Sequence, residues 1–557
     1  FSATNPEAPP LLAINAPLGI ASWLPTSGAI ASNANLSAGQ DLNLSGNDLN
    51  LRGQLQAGRD LNLIASRTLT IRDSVTTPFI SSSGRNTLIQ GNQGIDIFAL
   101  NHPSSVLSSG GNMALRSPNA VIGDAHYSVG GNFAIEQPNG SPGNFTSVDD
   151  PIILAIGDVR IGDYTGASLH ILAGGSVELG DVVIDSVGTV DTTINSANAN
   201  LIPGTTTPFS ALSNVTLSDG TSISVNGNLQ PTLDIRAGID WSKAPFTGLP
   251  GIAAPVSLPP GSATFLPPTT TGSNITVGNV AMAQGGGLVL LTNQYRPNTA
   301  LPAGQIQVLS IQDQFFPDVP GSNIYIDARG NISLPSTGSI ISQGSPAGTI
   351  LLKSNTAIIQ SEDIAEIQGV TLAGTGGDLI LKAPNIFLNG NAFTVFVGAF
   401  GEGQGGNLKI QADSFRSVFS SIGAVTVGPG NSGNVDIESN SITLDEVQLL
   451  SGVFGGEGNA GTVNIKAGSI TATNGSQIGS VTSGIGNAGD VNIVANSIAL
   501  TGFRVLTNSS PAIVNPTFIF SSVEPGATGN GGSINITVGD LSIQNAAQIR
   551  ASSDGNG

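Results

Sequence analysis

The chain has 557 residues, with 74 glycines, 32 prolines and no cysteine. Charged residues make up only 10%, far below the roughly 25% of an ordinary soluble domain, and aromatics 5%; yet 39% hydrophobic content is too high for a disordered chain. The net charge of −19, from 18 basic and 37 acidic residues without a basic cluster, argues against a nucleic-acid partner.

The hydrophobic residues are mostly Ile, Leu, Val and Ala, so the expected core is narrow and aliphatic. No stretch of about 18 unbroken apolar residues marks a membrane span. Phe1 is not preceded by a basic region and an apolar one, so any signal peptide is expected to be removed or to lie outside this chain. The lack of cysteine suits a cytosolic protein or one exported unfolded, and does not choose between them.

Residues 1–35 form an N-terminal segment. A short repeat follows over 36–190: a small residue, Gly, a polar residue, then alternating apolar and polar residues. Ala38-Gly39-Gln40-Asp41-Leu42-Asn43-Leu44 returns as Ala57-Gly58-Arg59-Asp60-Leu61-Asn62-Leu63. Further copies start at Gly110, Gly130 and Gly174, with weaker ones at Gly94 and Gly330. From 191 to 302 prolines and threonines concentrate, including Pro203, Pro231, Pro259 and Pro260. Proline removes ladder donors, so this region is expected to be an excursion from the repeat. Val215-Thr216-Leu217 and Leu233-Asp234-Ile235 are expected to remain in the repeat. Trp241 and Phe246 lie inside the excursion, which is read first as a cover and otherwise as a binding surface.

Residues 303–557 carry a longer unit. Its anchor glycines are Gly377, Gly406, Gly433, Gly461, Gly489 and Gly532, spaced 29, 27, 28, 28 and 43 apart. The longer last gap fits an insertion around Arg504 to Phe520. Each unit holds three short runs of period-two alternation, such as Val463-Asn464-Ile465, Ser469-Ile470-Thr471 and Gln477-Ile478-Gly479. Three strands and three corners per ~28 residues predict a right-handed parallel β-helix, stacked turn on turn. At ~20 to 28 residues per turn and ~4.8 Å per turn, a stack of roughly 20 to 27 turns, about 100–130 Å long, is expected. An antiparallel sandwich would need a regular ladder of hairpin turns, which Asn139-Gly140 and Asn474-Gly475 alone do not supply.

Parallel β-helices can carry polysaccharide chemistry, which needs carboxylates on adjacent turns. The candidates are Asp149, Asp150, Asp158, Asp163, Asp181 and Asp185, three of them in Gly-Asp pairs. A stack of Asp is able to hold a cation, but Gly-Asp is also ordinary turn chemistry, and that reading is preferred. His102, His126 and His170 show no metal-ligand spacing. No catalytic residue, metal ligand or cofactor is therefore assigned. Asn43, Asn62, Asn112, Asn132, Asn331, Asn434, Asn464, Asn492 and Asn535 take like places in their repeats, and are read as scaffold ladders.

The opening Phe1-Ser2-Ala3-Thr4-Asn5-Pro6-Glu7-Ala8-Pro9-Pro10-Leu11-Leu12, the Ala-Gly-Gln-Asp-Leu-Asn-Leu repeat and the Gly458-Asn459-Ala460-Gly461-Thr462-Val463-Asn464-Ile465-Lys466-Ala467 repeat carry a resemblance. The chain resembles the exoproteins of filamentous-haemagglutinin type exported by two-partner secretion, their cyanobacterial relatives above all. That resemblance covers most of the chain; its opening segment is the more specific part and looks like the segment that closes the family's N-terminal secretion domain, so that 1–35 is expected to be the tail of a secretion-domain-like region. It implies a secreted adhesin at the cell surface or in the extracellular matrix, passed out by an outer-membrane transporter. Possible contacts are surface glycans and further copies of the chain, stacked end to end as filaments. The family's Asn-Pro-Asn-Gly export motif is missing: Asn5-Pro6 leads into Glu7-Ala8, and Asn139-Gly140 follows Gln137-Pro138. The chain is thus expected to be a segment lacking most of the secretion domain. The alternative is a β-helical enzyme binding or degrading polysaccharide.

Overall fold

The computed structural model describes residues 28–188, 210–243, 270–314, 318–335, 338–360, 366–506 and 513–553. The opening motif at 1–12, Phe246 and most of the excursion's prolines lie outside them. The described chain is a parallel β-helix, built from three ladders visited in rotation.

The first ladder stacks Leu36–Ala38 on Gln54–Ala57, then on Ile80–Ser83 and Val106–Ser109. The second runs from Leu42–Gly46 to Leu61–Ala65, Thr87–Gly91 and Met113–Arg116. The third runs from Ile30–Ser32 to Leu49–Leu51, Thr68–Arg72 and Gly94–Ala99. Every pairing in these ladders is parallel, and over this stretch each strand meets the strand three places later in the chain. Toward the C-terminal part, adjacent strands fuse around the corners. Val435–Asp445, Val463–Thr473 and Val491–Thr501 each cross from the first ladder into the second.

Alternation explains the core. In Leu42–Gly46 the burial pattern is in-out-in-out-in, with Leu42 and Leu44 inside and Asn43 at the surface. Repeated at most rungs, this gives one largely aliphatic column from Ala38 to Ile519, with Phe79, Tyr127, Phe133, Phe145, Tyr164 and Phe415 set into it. The rungs are uneven in length. Turn-to-turn separations are 19, 26, 20 and 18 residues in the first part and stay between 26 and 29 through most of the later part. The tighter, irregular first half and the regular second half match the spacing of the glycines.

The stack is shorter than the sequence suggests. Sixteen successive pairings carry the second ladder from Leu42 to Leu541. At ~4.8 Å each they span about 77 Å. The difference comes from turns that absorb long insertions. One step, from Ser176 to Asn274 at a corner, takes 98 residues, and another takes 43.

The anchor glycines of the later repeat stand in one column. A Cβ at Gly406 would meet the Gly377 carbonyl oxygen at 2.0 Å, one at Gly433 that of Gly406 at 1.9 Å, and one at Gly461 that of Gly433 at 2.1 Å. Backbones of successive turns touch there, so no side chain fits.

Within the excursion, Thr232–Arg236 is a rung of the first ladder, as expected for Leu233-Asp234-Ile235. Val215-Thr216-Leu217 is not in the coil. Asn214–Thr216 pairs antiparallel with Ser222–Ser224 in a separate hairpin, closed by a turn at 217–221. Its turn signal, Asp219-Gly220, with Gly220 at φ +94, is of the kind that favours hairpins over parallel rungs. A second antiparallel ribbon, Phe503–Leu506 with Ile513–Pro516, accounts for the late insertion.

Candidate functional site

The six acids are not gathered into one site. Asp158 Oδ1 accepts the Ser176 backbone N–H at 2.8 Å, and the Asp158 N–H donates to Asn132 Oδ1 at 2.9 Å. At another corner Asp163 Oδ1 accepts from Asp181 N, and Asp181 Oδ1 accepts from Asn279 N. Each Gly-Asp carboxylate clamps the next turn of the coil, a scaffold role, though the bonds run from rung to rung and are not the local turn bonds that Gly-Asp chemistry alone predicts. Asp185 is exposed and accepts from Ser186 Oγ at 2.8 Å. Among the described residues, no three His, Asp or Glu side chains are grouped to hold a metal ion.

Asparagines continue the same ladders. The backbone of Asn132 donates to Asn112 Oδ1, and Thr462 N to Asn434 Oδ1. On the outer face of the strands a second kind appears. Asn62 Nδ2 donates to Asn43 Oδ1 at 2.7 Å, Asn492 to Asn464 at 3.0 Å and Asn535 to Asn492 at 2.9 Å. Asn331 Oδ1 accepts from Thr356 Oγ1.

Asp150 does belong to a constellation that sequence reasoning missed. His126, Ile152, His170 and Asp234 occupy successive outward positions of the first ladder. His170 Nδ1 lies 3.1 Å from Asp234 Oδ2, and its Nε2 lies 3.1 Å from Asp150 Oδ1. Arg236, on the same strand as Asp234, binds both carboxylate oxygens of Asp234 at 2.8 Å and the Leu212 carbonyl at 2.8 Å. Its guanidinium stacks 4.5 Å above the Tyr295 ring. The side chains of Asp234 and Arg236 are both 1% exposed. Burial disfavours the charged His170, but Asp150 and Asp234 overcome it and push its pKa up to about 10. Burial likewise works against the Asp234 carboxylate, and Arg236 and His170 hold it below its usual range. His126 is pulled down to about 4, chiefly by burial. Asp124, whose carboxylate accepts the Val148 and Asp149 N–H groups, is raised by burial.

This cluster lies beneath the cover. Leu212, Val215, Leu217, Ile223 and Val225 of the hairpin region pack with Ile239, Trp241 and Tyr295 onto Leu154, Leu172, Leu288, Leu290 and Leu351. These last five project outward from the first ladder. The Trp241 indole donates to the Ala155 carbonyl at 3.0 Å. At the hairpin turn, Ser218 N donates to Asp327 Oδ2 at 2.7 Å, and Lys353 closes the group by bonding Ser218 Oγ. His102 lies elsewhere, in a loop, where its Nδ1 accepts from Ser104 N and its own N–H donates to Asp73.

Beyond Lys353 an open groove of about 770 Å³ runs along the corner between the first and second ladders. Small residues line its floor, Ala383, Ala412, Ser439 and Ala467, and polar and charged ones its sides, Lys382, Gln411, Asp413, Glu438, Asn440 and Lys466. Lys353, Lys382, Gln411, Glu438 and Lys466 are successive rung partners, so the groove follows the axis.

No family model, no curated protein and no solved structure matches this chain.

Proposed function

We propose that the protein is a secreted structural and adhesive rod at the cell surface or in the extracellular matrix, an exoprotein of filamentous-haemagglutinin type. The observation that carries this reading is how the surface polar groups are used. Corner carboxylates and amides bond turn to turn along the coil, so they hold a long, repetitive lateral surface in place. Such a solenoid offers extended contact area and stiffness more readily than a single chemical centre. In this reading the chain leaves the cell through an outer-membrane transporter. It then engages surface glycans or other copies of itself, without catalysing a reaction.

Antibody raised against the coil, applied to intact cells and to their medium, tests the location. Signal on intact cells or in the medium is expected; signal found only after lysis overturns the reading. Beads coated with the purified chain test adhesion, and they should bind cells more than beads coated with an unrelated acidic protein.

A further inference from the structure

Lysine is scarce in this chain and unevenly placed. There are five, and four of them, Lys353, Lys382, Lys409 and Lys466, project outward from the first ladder within five successive rungs. Three of the four line the groove at the corner between the first and second ladders. On a chain of net charge −19, the groove lining carries three lysines against two carboxylates, Asp413 and Glu438, a local excess of positive charge. Lys353 is tied to Asp327 and Ser218 beneath the hairpin turn, so the cover closes one end of the groove. Lys466 pairs with Glu438 at 3.0 Å, an exposed contact that solvent and ligand can replace. Among the described residues, Lys382 has no carboxylate within 4.0 Å.

We propose that this groove binds an extended polyuronate, an acidic polysaccharide whose charges are carboxylates separated by hydroxyl-bearing sugar rings. The proposal rests on the adhesive reading, since such polymers are extracellular, and it assigns that reading a ligand and a place. Shape supports it. The groove follows the axis across six turns, from Lys353 to Asn496, or about 24 Å at the ~4.8 Å rung spacing, and its Ala and Ser floor leaves room for sugar rings. Chemistry selects the class. Lys382 and Lys466 meet ligand carboxylates, while Gln411, Asp413, Glu438 and Asn440 give and accept hydrogen bonds with hydroxyls between them. Asp413 and Glu438 would repel a densely charged sulfated polymer or a nucleic acid, which a strip of lysines alone would not do.

Titration calorimetry on the full chain tests this with polygalacturonate, a neutral glucan, dextran sulfate and a DNA oligomer as probes. Saturable polygalacturonate binding that weakens as salt is raised is expected. The double variant Lys382→Gln/Lys466→Gln should bind about tenfold more weakly with an unchanged circular dichroism spectrum. Asp413→Asn, which keeps an oxygen for the Asn440 amide, should bind about threefold more tightly, and it tests the groove even where the lysine variant is damaged. The proposal is overturned if polygalacturonate does not bind, if the neutral glucan, dextran sulfate or DNA binds as well, or if neither variant changes affinity. Bead adhesion separates the two readings: wild-type beads that adhere while calorimetry shows no polyuronate binding leave the adhesive rod standing and remove this site.

Discussion

The glycine column shows how much a single atom matters in this architecture. At Gly461 a methyl group would sit 2.1 Å from the carbonyl of Gly433, on backbone that cannot swing aside. Gly461→Ala should therefore cost about 1–3 kcal/mol, as overpacking does. Gly94→Ala, where nothing lies within 4 Å of the added carbon, should be neutral or slightly stabilising. Urea titrations followed by circular dichroism check both, and equal effects at the two positions would refute the close-approach account. The period of these glycines was legible in the sequence, and their reason was not, because it depends on which turn lies beneath. The same gap hid His170. Its partners Asp150 and Asp234 are brought to it by turns of unequal length, and no fixed spacing marks them. Their titration makes a pH prediction. His170 is held protonated in the fold, so its contribution is complete below pH 6.5 and fades as pH rises toward about 10. His126 behaves in the opposite way. It is held neutral, so its contribution is present above pH 6.5 and fades as pH falls toward about 4. Around them stand Asp73, Asp150, Asp234 and Arg236, of which Asp234, held below its usual range, remains charged across this window. The stability of the cover should peak near pH 6.5, and His170→Gln should remove the alkaline decline and keep most of the acid one, since burial outweighs the His170 charge in lowering His126. Urea midpoints measured on either side of the maximum decide this.

At the scale of elements, the cover is the part of the fold that departs from the repeat. Its docking site had a sequence signature. Ile152–Ala155, Leu169–Ala173, Leu288–Thr292 and Ile350–Ser354 hold unbroken apolar pairs or runs where other rungs alternate, as strands buried on both faces do. Alternation marks a rung exposed on one side, so these unbroken runs speak mainly of what lies above them. The Pro-rich composition pointed to an excursion, and its described part does cover the flank with Trp241 at its centre. The strand expected at Val215 became a hairpin because local turn chemistry outweighed the apolar pattern. Two antiparallel strands over one face make fewer contacts than a rung held above and below, so the cover should open first. In a Trp23→Phe background, Trp241 becomes the sole tryptophan reporter. Its fluorescence should shift to the red at lower urea than the loss of strand signal. Asp234→Ala should widen that difference, since it leaves Arg236 buried without its counter-charge, a loss of about 3–5 kcal/mol. Coincident transitions in both proteins would show that cover and coil unfold as one unit.

For the whole molecule, the sequence conveyed the coil, its three strands per turn and the change from short to long repeats. Length divided by period overstates the height, because two turns carry 98 and 43 residues from one rung to the next. What the three ladders imply for behaviour is locality. Each rung touches the rungs above and below, and the aliphatic column, though continuous from Ala38 to Ile519, transmits strain only through those neighbours. A lesion should then loosen a few turns and leave distant ones intact. Ile465 is 2% exposed in the regular part of the coil, far along the ladders from Trp241. Ile465→Ala removes buried methyl groups and should cost about 2–5 kcal/mol. Hydrogen exchange read by mass spectrometry should show lost protection in peptides from the turns around 435–500, with peptides from 36–136 exchanging as in the unaltered protein. The Trp241 transition should not move either. Loss of protection across both ends would mean that the column folds as one cooperative body. The nearest-neighbour account of this rod would then give way to one in which its length itself is what stabilises it.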